Sequence, residues 1–159
     1  MERAQHIAAP ISQVFAFFSD PGNLARITPP WLRFRILGPA PAHIVAGTRI
    51  EYRIRWTLFT LRWVTRIRGL SPPGEFQDVQ ERGPYKTWIH THRFVEDPGG
   101  VTIHDRVEYE LPLGPLGRLA HRLAVKRQLE AIFDYRREAV AEIFGAGARE
   151  DLRHSGAAE

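Results

Sequence analysis

With 159 residues, of which 43% are hydrophobic and which include four Trp and nine Phe, the chain has the length of one domain and the apolar mass for a core. Its 22 Lys and Arg outnumber 18 Asp and Glu, giving a net charge of +4, and the absence of Cys excludes disulfides, thiolate metal sites and cysteine nucleophiles. No run reaches the ~18 apolar residues of a membrane span, and Met1 to His6 lacks the apolar core of a signal peptide. The expectation is a cytoplasmic protein without an integral membrane segment. Nucleic acid is not an expected partner, because the arginines alternate along strands instead of forming a dense run with interleaved aromatics.

Arg3 to Ala9 reads as a first strand closed by Pro10. Ile11, Val14, Phe15 and Phe18 then recur at helical spacing, with Ser12 as a capping candidate, and a second short helix is expected over Pro21 to Ile27. Thr28-Pro29-Pro30-Trp31 breaks it and returns the chain to extended structure over Leu32 to Leu37. Thr48 to Trp56 and Leu58 to Arg68 follow as strands. In the first, Ile50, Tyr52, Ile54 and Trp56 alternate with Arg49, Glu51, Arg53 and Arg55; in the second, Leu61, Trp63, Thr65 and Ile67 alternate with a largely arginine face. Such alternation gives one covered face and one wet face, so the arginine rows read as a solvated exterior. Further strands are expected over Glu75 to Glu81, Lys86 to Val95 and Val101 to Leu111, with turns at Arg82-Gly83-Pro84 and Asp97-Pro98-Gly99-Gly100.

The last element predicted is a long helix from Pro115 to Phe144, stopped by Gly145 and Gly147. Its apolar residues fall in two stripes of different phase, Leu116 to Leu123 and Leu129 to Phe144, which predicts a bend near Ala124 to Lys126. Residues 1–145 are expected as one domain and 146–159 as a disordered tail.

Five polar residues fall on the covered face of the three late strands: Asp78, Gln80, His90, His92 and Asp105 share the parity of Phe76, Trp88, Phe94, Val101, Ile103, Val107 and Tyr109. A turn centred on Pro98 and Gly99 sets His92 opposite Asp105, Phe94 opposite Ile103 and Trp88 opposite Tyr109. A turn near Gly83 and Pro84 sets Asp78 near His90 and Gln80 near Trp88. Two Asp-His pairs side by side are expected. They admit three readings: satisfied buried pairs, the polar end of a ligand pocket, or catalysis or metal binding. Metal ranks last, because each His already has an Asp, and no metal and no cofactor are expected.

Phe76-x-Asp78-x-Gln80-x-x-Gly83-Pro84-Tyr85-x-x-Trp88-x-His90-x-His92-x-Phe94, followed by Asp105-x-Val107-x-Tyr109-x-Leu111-Pro112 and by Phe133-x-Tyr135-Arg136 on the helix, resembles the SRPBCC proteins of the START-like superfamily. The branch is that of polyketide cyclase/dehydrase or coenzyme Q-binding-like proteins. The resemblance implies an α+β helix-grip fold, a curved antiparallel sheet wrapped around the long C-terminal helix, with two short helices after the first strand and a cavity between sheet and helix. It implies a hydrophobic small-molecule ligand such as a lipid, quinone or polyketide. In that fold Trp56, Trp63, Phe76, Trp88 and Tyr109 would line the sheet side, Leu119 and Leu123 would close the top, and Asp78, Gln80, His90, His92 and Asp105 would form the polar end. Phe15, Phe18 and Trp31 would border the mouth, whereas Tyr85 is either a solvent-facing turn residue or part of the rim. A cyclase, aromatase or dehydrase using His90, His92, Asp78 or Asp105 as acid and base is the alternative to a carrier. The oligomeric state is left open.

Overall fold

The structure is a computed structural model that describes residues 1–56, 59–112, 114 and 124–155, with side chains as far as Gly145. The strands are β1 (Glu2–Ile7), β2 (Arg35–Ile36), β3 (Arg49–Trp56), β4 (Phe59–Ser71), β5 (Glu75–Arg82), β6 (Thr87–Asp97) and β7 (Gly100–Glu110). A short helix α1 (Ile11–Phe18) and 3₁₀ turns over Pro21–Arg26 and Pro30–Leu32 follow β1, and a long helix α2 (Lys126–Ser155) follows β7. The strands form one antiparallel sheet in the order β1-β7-β6-β5-β4-β3-β2. This is the expected α+β helix-grip architecture.

The details depart from expectation at the punctuation points. Pro10 rather than Ser12 precedes α1, and no side chain caps that helix. Pro30, Trp31 and Leu32 form a 3₁₀ turn ended by left-handed Arg33, so the extended segment shrinks to Arg35–Ile36. The long helix runs past Gly145 and Gly147, because a glycine lowers helix propensity without forbidding the conformation. A π-helical turn at residues 124 and 125 stands where the two apolar phases meet. The expected start at Pro115 lies outside the described residues.

The alternation read from the sequence sorts the faces. Ile50, Ile54, Trp63 and Ile67 are buried, while Arg49 and Arg66 pair with Glu81, and Arg62 with Glu51, on the outer face. β4 carries irregularities at Val64/Thr65 and Ile67/Gly69, and Val64 is buried as well, although its parity predicts the wet face. Inside the sheet the core falls into two apolar groups. One gathers Ile7, Val14, Phe15, Phe76, Phe94, Val101, Ile103 and Val140; the other gathers Ile54, Trp63, Tyr85, Val125 and Leu129. Helix α2 is tied to the sheet's edge where Gln5 Nε2 donates to the Arg137 carbonyl at 2.9 Å.

Candidate functional site

The β6–β7 hairpin holds the expected register: Phe94 faces Ile103, His92 faces Asp105 and Trp88 faces Tyr109. On the other side of β6, Asp78 faces His90 and Phe76 faces His92. The described β5–β6 pairing ends at Val79 and Ile89, so Gln80 is not paired with Trp88. Its side chain instead closes the turn, with Gln80 Nε2 donating to the Tyr85 carbonyl at 2.7 Å and the Tyr85 N–H donating to Gln80 Oε1 at 3.3 Å. Gln80 is a structural residue of the loop.

Side-chain reach rearranges the two expected pairs into a closed set, in which each carboxylate meets both imidazoles. Asp105 Oδ1 lies 2.6 Å from His92 Nδ1 and 3.1 Å from His90 Nε2. Asp78 Oδ2 lies 3.4 Å from His92 Nε2 and 3.6 Å from His90 Nδ1. The two rings are 3.8 Å apart between centroids. Thr65 Oγ1 is 3.1 Å from the other oxygen of Asp78. A fifth member comes from α2: Arg136 Nη2 is 3.6 Å from Asp105 Oδ1 and 3.3 Å from His92 Nδ1. The guanidinium also lies over the rings of Phe18, at 5.1 Å, and Phe133, at 5.8 Å.

Burial opposes every charge in this set, and the partners decide which charges survive. For Asp105 burial is outweighed by the charges of Arg136 and His92, and its carboxyl is held well below the usual carboxylate range. For Asp78 burial is outweighed by the neighbouring imidazoles of His92 and His90, and its pKa falls. Burial lowers His92, but Asp105 and Asp78 prevail and its pKa rises. His90 goes the other way, because burial and its charged neighbour His92 prevail over the carboxylates.

Asp78, His90, His92, Thr65 and Arg136 line a cavity of about 200 Å³ between the sheet, the helix and the segment after α1. Of the residues assigned to the ligand from sequence, Trp56, Trp63, Phe76, Asp78, Trp88, His90 and His92 line it. Asp105 and Tyr109 are not in its wall: Asp105 lies behind the imidazoles, and Tyr109 packs on Tyr85 and Trp88 with centroids 5.6 and 6.0 Å away. Leu119 and Leu123 lie outside the described residues. At the mouth Phe18 is part of the lining, but Phe15 is core, edge-on to Phe76 and Phe94. Trp31 is half exposed and rests against Tyr135. Tyr85 is buried and lines the cavity among Trp63 and Trp88, so it is no solvent-facing turn residue.

Sequence reasoning misses Arg136 as a site residue, although its position carries a signal. Leu129, Ile132, Phe133, Arg136 and Val140 share the i, i+3, i+4 stripe of α2, and an arginine on a covered stripe needs a buried partner. Trp63 carries a buried Nε1–H with no hydrogen-bond partner among the described residues.

A curved sheet closed by a helix over a mostly apolar chamber, with one charged end, defines a helix-grip cavity protein. The chain belongs to the family described as polyketide cyclase/dehydrase and lipid transport, whose model matches residues 7–133, and so to the START-like superfamily. Solved structures agree on the fold. A nucleoside-diphosphate sugar epimerase from Corynebacterium glutamicum matches at 24% identity with a TM-score of 0.70, covering 96% of this chain and 30% of that one, so the chain spans under a third of that protein. The protein TTHA0849 from Thermus thermophilus matches at 18% identity and TM-score 0.66, over 90% of this chain and 97% of that one. Ara h 8.0201 matches at 14% identity and TM-score 0.60, over 89% and 97%. No curated protein matches the sequence. No helix among the described residues is long and apolar enough to cross a membrane.

Proposed function

We propose that residues 1–145 bind a small apolar or amphipathic molecule, ring-bearing and carrying an oxygen at one end, in the chamber between sheet and helix. The observation that carries this is the chamber's polarity: tryptophans, Phe76, Ile54 and Leu129 on its walls, and Asp78, His90 and His92 gathered at one end. Size limits the ligand. A void of ~150 Å³ takes up benzene, so about 200 Å³ suits a one- or two-ring molecule, and a long acyl chain would have to extend outside it. A ring system the size of an aromatic side chain hides ~150–250 Å², or about 4–6 kcal/mol at ~25 cal/mol per Å². Association costs consume much of that, which leaves tight binding to the polar end and to the unpartnered Trp63 Nε1–H.

Native mass spectrometry of protein from its own host should find a co-purified small molecule. Calorimetry with 4-nitrophenol as a probe should show saturable one-site binding. Bare protein in the first experiment together with no saturation in the second would overturn the proposal.

A catalytic reading is favoured by one observation. His90 and His92 line the chamber while Asp105 lies behind both, the arrangement of a proton-transferring imidazole oriented by a carboxylate. In a cyclase, aromatase or dehydrase of this kind Asp105→Asn would abolish turnover and spare ligand affinity. A carrier would show no turnover to lose.

A further inference from the structure

The two histidines bring more ring nitrogens to the carboxylates than they have protons. Each neutral imidazole carries one N–H. The nitrogens at hydrogen-bond distance from a carboxylate are His92 Nδ1 and His90 Nε2, 2.6 and 3.1 Å from Asp105 Oδ1. With the protons there, the lone pairs of His92 Nε2 and His90 Nδ1 turn towards Asp78 Oδ2, at 3.4 and 3.6 Å. Three acceptors then face one another, and Asp78, His90 and His92 can each offer one ligand atom within 4.8 Å of those of the other two. Acceptors repel unless a cation stands between them. A proton is the smallest such cation, but both separations exceed the ~2.7–3.2 Å of an ordinary N–H···O bond. They lie close to the ~3.3–3.5 Å ligand–ligand edge of a tetrahedron with metal–ligand bonds of about 2.0–2.1 Å.

We infer that Asp78, His90 and His92 form a binding site for a divalent first-row metal ion such as Zn²⁺, with Asp105 orienting both imidazoles from behind. Metal ranks last on sequence because each His has its own Asp there. The structure gives both His the same Asp105, and so frees one nitrogen on each. A carboxylate accepting the second N–H of a metal-bound histidine is the usual outer support of such a site. Thr65 occupies the other oxygen of Asp78 and leaves Oδ2 to the ion. Arg136 lies on the Asp105 side of the set, 3.6 Å from Asp105 Oδ1, and approaches His92 from its Nδ1 side, away from Nε2.

The three ligand residues line the chamber and Asp105 does not, so the fourth coordination position faces the ligand space. That last point rests on the cavity reading; the ligand set itself does not. With two neutral imidazoles, the ion, Arg136 and two carboxylates leave one positive charge over. An anionic oxygen on the ligand, phenolate, enolate or carboxylate, is the chemistry that balances it.

The test uses the full chain dialysed against EDTA. Calorimetry with Zn²⁺ should show one ion bound per chain, and Co²⁺ should give the visible absorption of a four-coordinate site. His92→Ala should weaken Zn²⁺ at least about 100-fold, Asp105→Asn about 10- to 100-fold, and His6→Ala, at a separate exposed His6–Asp97 pair, not at all. Because the cluster variants are buried and can unfold, imidazole ¹⁵N spectra of the unsubstituted chain supply an independent reading: Zn²⁺ must move His90 Nδ1 and His92 Nε2. No ion bound by the folded chain, equal affinity in a folded His90→Ala/His92→Ala variant, or shifts confined to other histidines would overturn the inference. 4-Nitrophenol binding without Zn²⁺ binding sinks the metal site alone, and Zn²⁺ binding without 4-nitrophenol binding sinks the cavity reading alone.

Discussion

Arg136 crosses from the helix to the sheet and places its guanidinium 3.6 Å from the carboxylate of Asp105, both side chains being nearly buried. This pair fastens α2 over the chamber at its charged end. Arg136→Met keeps the stem and removes the charge, leaving Asp105 with two imidazoles to offset its burial. Removing one partner of a buried pair costs about 3–5 kcal/mol, and the remaining histidines put this case near the low end, about 3 kcal/mol. Urea unfolding of the two proteins measures it. Adding Asp105→Asn to the variant should recover part of the loss, and a loss below about 1 kcal/mol in the single variant would show that the pair does not hold the helix.

Gln80 makes a different prediction from the one its parity suggests. Its amide both donates to and accepts from the Tyr85 backbone, and a side chain at Gly83 would meet it, since a Cβ there would run into Gln80 Oε1. Gln80→Ala should therefore cost about 1–2 kcal/mol through the lost turn bonds and leave 4-nitrophenol affinity within about twofold once the protein is folded. A tenfold loss of affinity at unchanged stability would return Gln80 to the ligand.

The strand order and the β6–β7 register are legible in the sequence, because a hairpin turn fixes pairing and alternation fixes the face. Asp78, His90, His92 and Asp105 emerge that way. Reach does not. Backbone register assigns one partner per residue, whereas imidazoles on neighbouring positions of one face touch carboxylates on both adjoining strands, so two expected pairs become one set. Arg136 is hidden for a related reason: helix-to-sheet contacts depend on where the helix lies, which no local pattern encodes. Gln80 escapes because parity assigns a face up to the end of a strand, while at a turn a side chain can bond its own loop. The glycines at 145 and 147 mislead as stop signals, since propensity weighs against helix there by only about 1 kcal/mol each.

If the chamber is the ligand site, filling it should block binding without unfolding the protein. Ile132 lines it from α2 and is only half buried, so a larger side chain there is carried by the helix and not by the packed sheet. Ile132→Trp should fill a large part of the about 200 Å³, weaken 4-nitrophenol at least tenfold by calorimetry and change unfolding free energy by less than about 1.5 kcal/mol. Unchanged affinity in the folded variant would place the bound probe elsewhere.

The whole site depends on the β6–β7 register, and two adjacent glycines at that turn should respond unequally. Gly99 has φ +89, and nothing lies within 4 Å of the point where a Cβ would stand, so Gly99→Ala meets only backbone strain, about 1–2 kcal/mol. Gly100 presses on β1: a Cβ there would overlap the Ile7 carbonyl oxygen and lie 2.9 Å from Ala8 Cα, both backbone atoms that cannot rotate away. Gly100→Ala should cost roughly 3 kcal/mol or more and part β1 from β7, where Ile7 pairs with Val101. Because His92 and Asp105 are opposed through the same hairpin, Gly100→Ala should also disturb the imidazole NMR signals of His90 and His92, and Gly99→Ala should leave them in place. Thermal unfolding and those spectra, taken together on both variants, decide it: equal losses, or unmoved histidines in Gly100→Ala, would mean that the turn does not set the site.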